Sequence, residues 1–232
     1  MDDWNLKEKL EVKLYLKSLA IFLVFIMMTF LIAGRLTYWQ GWVFNIFNII
    51  FILLTFILLN DRKDVIKERL KPGKGIKPWD RMYYMVSTPL FFLMFFLSIA
   101  DGARILWNPT VPFSLIIFGI SLYCLGQTIL LWAKRTNRFF SSVVRIQTDR
   151  NQTVCMEGPY RFIRHPGYLG GLVFTIGTPL MLGSYWGLLP AVLSLVVLIW
   201  RTSLEDSTLR KELPGYLHYT TLVKYRLIPY VW

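Results

Sequence analysis

Two short segments of the chain gather residues with chemical reach. The first is Gly158-Pro159-Tyr160-Arg161-Phe162-Ile163-Arg164-His165-Pro166-Gly167-Tyr168-Leu169-Gly170. Pro166 restricts His165 to an extended backbone and is itself suited to the first turn of a helix, so the imidazole is presented at a helix mouth. The second is Arg201-Thr202-Ser203-Leu204-Glu205-Asp206, followed by Leu209 and by Tyr216-Leu217-His218-Tyr219. Arg201 and Glu205 are four residues apart and share one helix face. A cation, a carboxylate, an imidazole and phenols are the parts of a binding or reaction site. Taken singly, each has a plainer reading. His165 is then an interfacial histidine, Arg201 a cation reaching from lipid to water, and Arg201 with Glu205 a surface pair of little weight. The site reading gains its force from position: both segments flank one uncharged stretch, residues 168–200.

That stretch is too long for a single membrane crossing of about 20 residues. Gly183-Ser184-Tyr185-Trp186-Gly187 interrupts it with turn-forming residues, which predicts a tight helical hairpin of two short legs. A hairpin returns its two ends to one rim, placing His165 and Tyr168 beside Arg201 and Glu205. Gly170 and Gly177 fall on one face of the first leg, where another helix can approach the backbone.

Four further apolar runs reach or approach spanning length: Leu14 to Ala33, Trp42 to Leu59, Tyr83 to Ala100 and Phe113 to Ala133. The first exceeds a signal-peptide core and no small-residue cleavage site follows it, so it is expected to stay as a span. The composition agrees. The 232 residues are 55% hydrophobic and only 17% charged, well below the quarter or so typical of soluble domains. With an even number of spans and the N-terminus inside, 24 of the 26 Lys and Arg residues fall on the cytoplasmic side, leaving Arg35 and Arg104 opposite. The positive-inside rule therefore favours about six helices, with both termini cytoplasmic. Trp39, Trp42, Trp79, Trp107, Trp132, Trp186 and Trp200 lie at or near the run ends, as interfacial anchors do.

The net charge of +12 follows this topology and the anionic headgroups it implies. No basic helix face or aromatic RNA-binding motif accompanies it, so no nucleic-acid partner is expected. Cys124 and Cys155 are too few and too far apart for a disulfide framework or a metal site. The long inner segment 134–167 and a cytoplasmic tail complete the expected fold class. It is an all-α integral membrane protein, in which a family resemblance at these motifs implies a cofactor pocket formed on the cytoplasmic side by the loop before the hairpin and the C-terminal tail.

At these motifs the chain resembles the isoprenylcysteine carboxyl methyltransferase family, in the broad sense that includes phospholipid methyltransferases and bacterial members. The resemblance covers about Gly126 to Pro229. It rests on Gly-Pro-Tyr-x-x-x-Arg-His-Pro-x-Tyr-x-Gly at 158–170, with Arg-x-x-x-Glu at 201–205 and Tyr-x-x-Tyr at 216–219. It divides the chain into N-terminal membrane helices with a basic loop, 1–110, and a methyltransferase core, 111–232. It implies S-adenosylmethionine as cofactor, contacted by Gln152, Thr153, Val154, Cys155, Tyr160, His165, Pro166, Gly167, Tyr168 and Glu205. Arg145 stands where the eukaryotic enzymes look to have a glutamine, with Gln147 nearby, so either is a further contact. Arg201 falls on the arginine used toward the acceptor, a lipophilic molecule entering from the bilayer. Asp206 replaces one of the paired or repeated glutamates of many members.

A carboxylate acceptor is already ionised near neutral pH and needs no base, only a cation to hold it, and Arg201 supplies one. An amine or thiol acceptor needs a base, for which His165 is the candidate. Two other classes share the pattern: a sterol-type membrane reductase using NADPH, and a non-enzymatic scaffold that has kept the pocket residues.

Overall fold

The computed structural model describes residues 20, 22–104 and 110–232, and all its regular structure among them is helical. An apolar helix α1 covers Phe22–Ala33. It is followed by α2 (Trp39–Leu58), α3 (Lys63–Leu70), α4 (Pro78–Arg104), α5 (Phe113–Thr136), α6 (Pro166–Met181), α7 (Leu188–Glu212) and α8 (Tyr216–Leu222). Helices α2, α4, α5 and α7 are long and apolar enough to cross a membrane. Of the six expected spans, the start of the first run and the basic segment 1–17 lie outside the described residues, as does most of the outer loop around 105–109. The first leg of the hairpin has 16 residues, whereas the second has 25. The second leg is longer than expected because its apolar half, ending at Trp200, runs on without a break into a polar half carrying Arg201, Glu205 and Asp206.

Only 17–28% of the apolar windows in the four spanning helices is buried against protein. Large apolar side chains such as Leu53, Ile57, Leu93, Leu125 and Val196 stay exposed. Such extensive apolar surface suits lipid rather than water.

The helices meet through two kinds of contact. Helices α5 and α6 lie backbone against backbone. A Cβ added at Gly126 would fall 2.4 Å from the Phe174 nitrogen, and one at Gly177 2.5 Å from the Tyr123 nitrogen. Gly119, Gly126, Gly170 and Gly177 thus form the small-residue seam by which membrane helices approach most closely. The other contact is a buried cluster of larger side chains, including Tyr38, Phe44, Phe95, Ile99, Tyr123 and Met181.

The hairpin turn is pinned from both sides. The Tyr38 hydroxyl donates to the Leu182 carbonyl oxygen (2.5 Å), and the Ser184 hydroxyl to Asp101 of α4 (2.7 Å). Gly183, at φ +76°, takes the left-handed turn that ends α6.

The inner segments are more structured than a loop reading suggests. Segment 60–82 contains α3 and the start of α4. Segment 137–165 has no long helix, only 3-10 turns at Thr148–Arg150 and Gly158–Arg161. The tail breaks after α7 at Leu213-Pro214-Gly215 and continues as α8.

Candidate active site

Pro166 opens α6 at its first position and leaves His165 outside the helix, at φ −125° and ψ 59°. Its ring is stacked on that of Tyr168 one turn on, with centroids 5.7 Å apart and 12° between planes. The Tyr168 hydroxyl donates to Glu205 on α7. The Arg201 guanidinium lies 5.4 Å from the Tyr168 ring centroid. The hairpin therefore returns Arg201 to the rim occupied by His165, both against Tyr168.

A cavity of about 810 Å³, counted to its open mouth, adjoins this rim. It is lined by segment 137–155, by Tyr160, His165, Gly167 and Tyr168, and by Glu205, Leu209 and Leu213 with Tyr216 and Tyr219 of α8. Arg145, Gln147, Gln152, Thr153, Val154 and Cys155 all line it. Pro166 alone of the expected cofactor contacts does not, because it is committed to starting α6. The Tyr219 phenol donates to the backbone carbonyl oxygen of Tyr160 (2.6 Å), and the Tyr160 phenol accepts from the Asn137 amide nitrogen (3.4 Å), tying the walls together. Burial pushes both phenols, and the Cys155 thiol, above their ordinary pKa values.

The loop walls are held by charge. The Arg145 guanidinium forks onto Glu68 of α3 (2.9 and 2.7 Å) and reaches Asp149 (2.7 Å). Burial raises the Glu68 carboxyl, but hydrogen bonds from Arg145 and Ser141 outweigh it and hold the group below its usual range. Arg145 is thus engaged in fastening α3 to the loop. Gln147 braces the loop itself: its amide nitrogen donates to the Phe139 carbonyl oxygen (2.7 Å) and its backbone N–H to Gln152 (2.7 Å).

Arg201 does not line this cavity. It lines a second, largely apolar one between α4, α5, α6 and α7, which shares Phe140, Ser141, Gly167 and Tyr168 with the first. Its partner is not Glu205 on its own helix but buried Asp80 of α4, reached from Nε at 2.8 Å. A second nitrogen donates to the Ser142 carbonyl oxygen (2.8 Å). The rings of Tyr83 (4.2 Å to the centroid) and Tyr84 (5.2 Å) cover the guanidinium. Arg201 is 6% exposed and so is no snorkelling anchor.

The remaining carboxylate, Asp206, is fully buried and serves as a hub. Arg164 donates to both its oxygens (2.8 and 3.2 Å), and Arg210 and Arg226 each reach Oδ2 at 3.0 Å. The Tyr216 hydroxyl donates to Oδ1 (3.0 Å), and the His165 ring stands 3.4 Å from the same oxygen. Arg164 also holds the tail directly, donating to the carbonyl oxygens of Val223 and Lys224 (2.8 and 2.7 Å). Sequence reasoning left Asp206 without a role and passed over Arg164, Asp80 and Glu68. The neighbours of Asp206 at 164 and 216 were inside the quoted motifs, but nothing in the spacing pairs them. Asp80 and Glu68 lie in the N-terminal half, where only tertiary contact reveals a partner.

Residues 114–214 match the family described as Phospholipid methyltransferase. Protein-S-isoprenylcysteine O-methyltransferase B of Arabidopsis thaliana is 29% identical over 85 residues, which is 36% of this chain and 41% of that protein. A probable protein-S-isoprenylcysteine O-methyltransferase of Oryza sativa subsp. indica is 37% identical over 65 residues, or 28% and 34% of the two chains. The Schizosaccharomyces pombe protein-S-isoprenylcysteine O-methyltransferase is 30% identical over 83 residues, or 32% and 35%.

Over residues 114–214 the chain is thus similar to the phospholipid methyltransferase family, and over shorter stretches to protein-S-isoprenylcysteine O-methyltransferases. The matches span between 34% and 41% of these relatives' own lengths. The family match begins at the second residue of α5 and ends in the break before α8. It thus takes in the loop, the hairpin and Arg164, Asp206 and Arg210 of the hub, but not Tyr216, Arg226, Asp80 or Glu68.

Proposed function

We propose that this chain is a membrane methyltransferase that uses S-adenosylmethionine and methylates a lipophilic acceptor, most simply at a carboxylate. The observation that carries the reading is the pair of adjoining cavities, one polar and open, one apolar and walled by membrane helices, meeting at Gly167 and Tyr168. A reaction between a water-soluble cofactor and a greasy acceptor requires such a meeting point. The residues of the polar cavity fit the cofactor: Val154, Leu209 and Leu213 give an apolar wall, Tyr160 an aromatic face, and Glu205 a carboxylate for its cationic or hydroxyl groups.

When bound, the cofactor supplies an electrophilic methyl group on a sulfonium. No proton needs to move. The chain's part is to align cofactor and acceptor and exclude water. Arg201 holds the acceptor carboxylate, Glu205 and Tyr168 fix the cofactor side, and Phe140 separates the compartments. His165, facing Asp206 and stacked on Tyr168, is read as a positioning group; it is the base only if the acceptor is an amine or thiol.

The same reading takes residues 111–232 as the core, within a protein of six spans whose termini and polar cavity face the cytoplasm. The distribution of Lys and Arg supports this orientation.

Arg201→Gln is expected to abolish turnover while cofactor affinity survives, and Glu205→Ala to weaken cofactor affinity at least tenfold. Size-exclusion profiles confirm that both variants remain folded. Normal methylation by both ends the assignment. Titration of the purified protein with S-adenosylmethionine and NADPH separates this reading from a reductase, which binds the second, and from a scaffold, which binds neither.

A further inference from the structure

Segment 61–77 holds seven basic residues and three acids, and the fold sorts them. Each acid pairs with an arginine of α5 or of the segment after it: Asp61 with Arg135 (3.0 Å), Asp64 with Arg150 (2.5 Å) and Glu68 with Arg145 (2.7 Å). Val65 and Glu68 form the buried face of α3. Lys67, Lys71 and Lys74 are exposed and make no ion pair among the described residues. Leu70 stands among them, 52% exposed. Positions 67, 70 and 71 are three and four residues apart and share one face.

The depth of α3 sets what this face meets. Its inner side reaches the membrane helices, since Arg69 lines the apolar cavity between α4, α5, α6 and α7. The outer side therefore stands level with lipid headgroups. Lysines around a projecting leucine are the makeup of an interfacial membrane contact, the cations facing anionic headgroups and the leucine the acyl boundary. Topology alone asks for basic residues near a span, but not for a link to a site. Here the link is short. The backbone at Gly73 lies on Arg145, and a Cβ added there would fall 2.7 Å from the guanidinium carbon. Arg145 reaches the Lys74 carbonyl oxygen (3.5 Å), and the Lys77 N–H donates to the Val144 carbonyl oxygen (3.0 Å). Arg145 and Val144 both line the polar cavity.

We infer that the face made by Lys67, Leu70, Lys71 and Lys74 docks on anionic lipid headgroups, and that this contact regulates cofactor affinity at the polar cavity. Docking fixes the backbone that rests on Arg145 and so the loop wall that Arg145 fastens. Less freedom then remains to be lost when the cofactor binds. A leaflet of zwitterionic lipid offers the lysines no net charge and leaves the strap loose. Each lysine near an anionic surface is worth about fivefold in binding. Only the part of that gain that differs between the loose and fixed forms reaches the cofactor. The docking stands on α3 alone; its regulatory consequence rests on the proposed methyltransferase reading.

The test places the full chain in nanodiscs of phosphatidylcholine, or of an equal mixture of phosphatidylcholine and phosphatidylglycerol. Calorimetry reads S-adenosylmethionine affinity, and hydrogen exchange reads protection of residues 63–77. The anionic mixture is expected to tighten the cofactor by about fivefold to tenfold and to raise protection of the strap. Salt at about 1 M should remove both gains. The triple variant Lys67→Gln, Lys71→Gln, Lys74→Gln should lose both gains yet keep the affinity seen in neutral lipid, while the corresponding triple arginine variant keeps them. A control that removes three exposed charges elsewhere, Arg161→Gln, Lys211→Gln, Lys224→Gln, should behave as the unaltered chain. Equal affinity and equal protection in the two nanodiscs overturn the inference. So does a gain that survives in the glutamine triple, as simple enrichment of a cationic cofactor at an anionic surface would give, or an equal loss in the control. Protection without tighter cofactor binding overturns the regulation. Should the glutamine triple fail to fold, the two nanodiscs and the control still decide. Absence of S-adenosylmethionine binding in both nanodiscs sinks the methyltransferase reading instead, and strap protection then decides the docking by itself.

Discussion

Asp206→Asn tests whether the charge hub holds the cavity together. The substitution keeps the side chain's size and removes its charge. In the folded chain it strips the carboxylate from Arg164, whose side chain is 2% exposed. Removing one partner of a buried pair leaves an uncompensated charge and costs about 3–5 kcal/mol. The contributions of Arg210 and Arg226 are smaller, since their side chains are 38% and 27% exposed and solvent screens them. A loss of that size in a chain of this length lowers the melting temperature by roughly 10 °C. It should also free the tail, because Arg164 holds Val223 and Lys224 only while its fork is fixed on Asp206. Thermal unfolding in detergent and limited proteolysis after Lys224 read the two effects. The control is Arg210→Gln, which removes an exposed arm of the same hub and should cost about 1 kcal/mol or less. Equal, small shifts for both variants, with an intact tail, would refute the claim that burial sets the energetics of this cluster.

Three further outcomes follow from the same geometry. Gly126→Val should prevent assembly, because the added carbon meets the backbone nitrogen of Phe174 at 2.4 Å; a monodisperse, fully helical variant in detergent would count against the α5–α6 seam. Cys155, whose thiol burial pushes above its ordinary value, should react slowly with maleimide at pH 7, faster only as pH rises beyond the usual thiol range of about 8.5, and more slowly still with S-adenosylmethionine present; rapid, unprotected labelling would contradict its placement in the cavity wall. Glu68 has a folded pKa below its ordinary value, so its contribution is present above about pH 4.5 and fades as pH falls through the depressed value; hydrogen-exchange protection of α3 should drop in acid, and Glu68→Gln should show the lower protection already at pH 7, with no change across that range if the Arg145 pair is not what fastens α3.

What the chain disclosed before folding was its local and periodic information. The apolar runs, the Gly183–Gly187 break, the glycine face at 170 and 177, and the proline after His165 each act on their neighbours, so each is legible in a line of letters. So is the convergence of Tyr168 with Glu205 and Arg201, because a hairpin is the one long-range contact whose register a turn fixes. The missing partners share a different origin. Asp80 and Glu68 read as ordinary acids in a basic segment until α4 and α3 carry them against segment 137–150. Arg164 and Asp206 are separated by the whole hairpin, and no periodicity couples two single charges across it. Burial then decides their weight. A pair that is negligible in water becomes decisive at 2% exposure, and exposure belongs to the fold alone. The same reasoning explains why the counterion of Arg201 is not legible in the spacing. Helical spacing offered Glu205, whereas the buried donor chose Asp80, leaving Glu205 with the Tyr168 hydroxyl and turned toward the polar cavity. Separation of the two carboxylates is what divides the labour of the rim: one neutralises the cation on the lipid side, the other offers its charge on the water side.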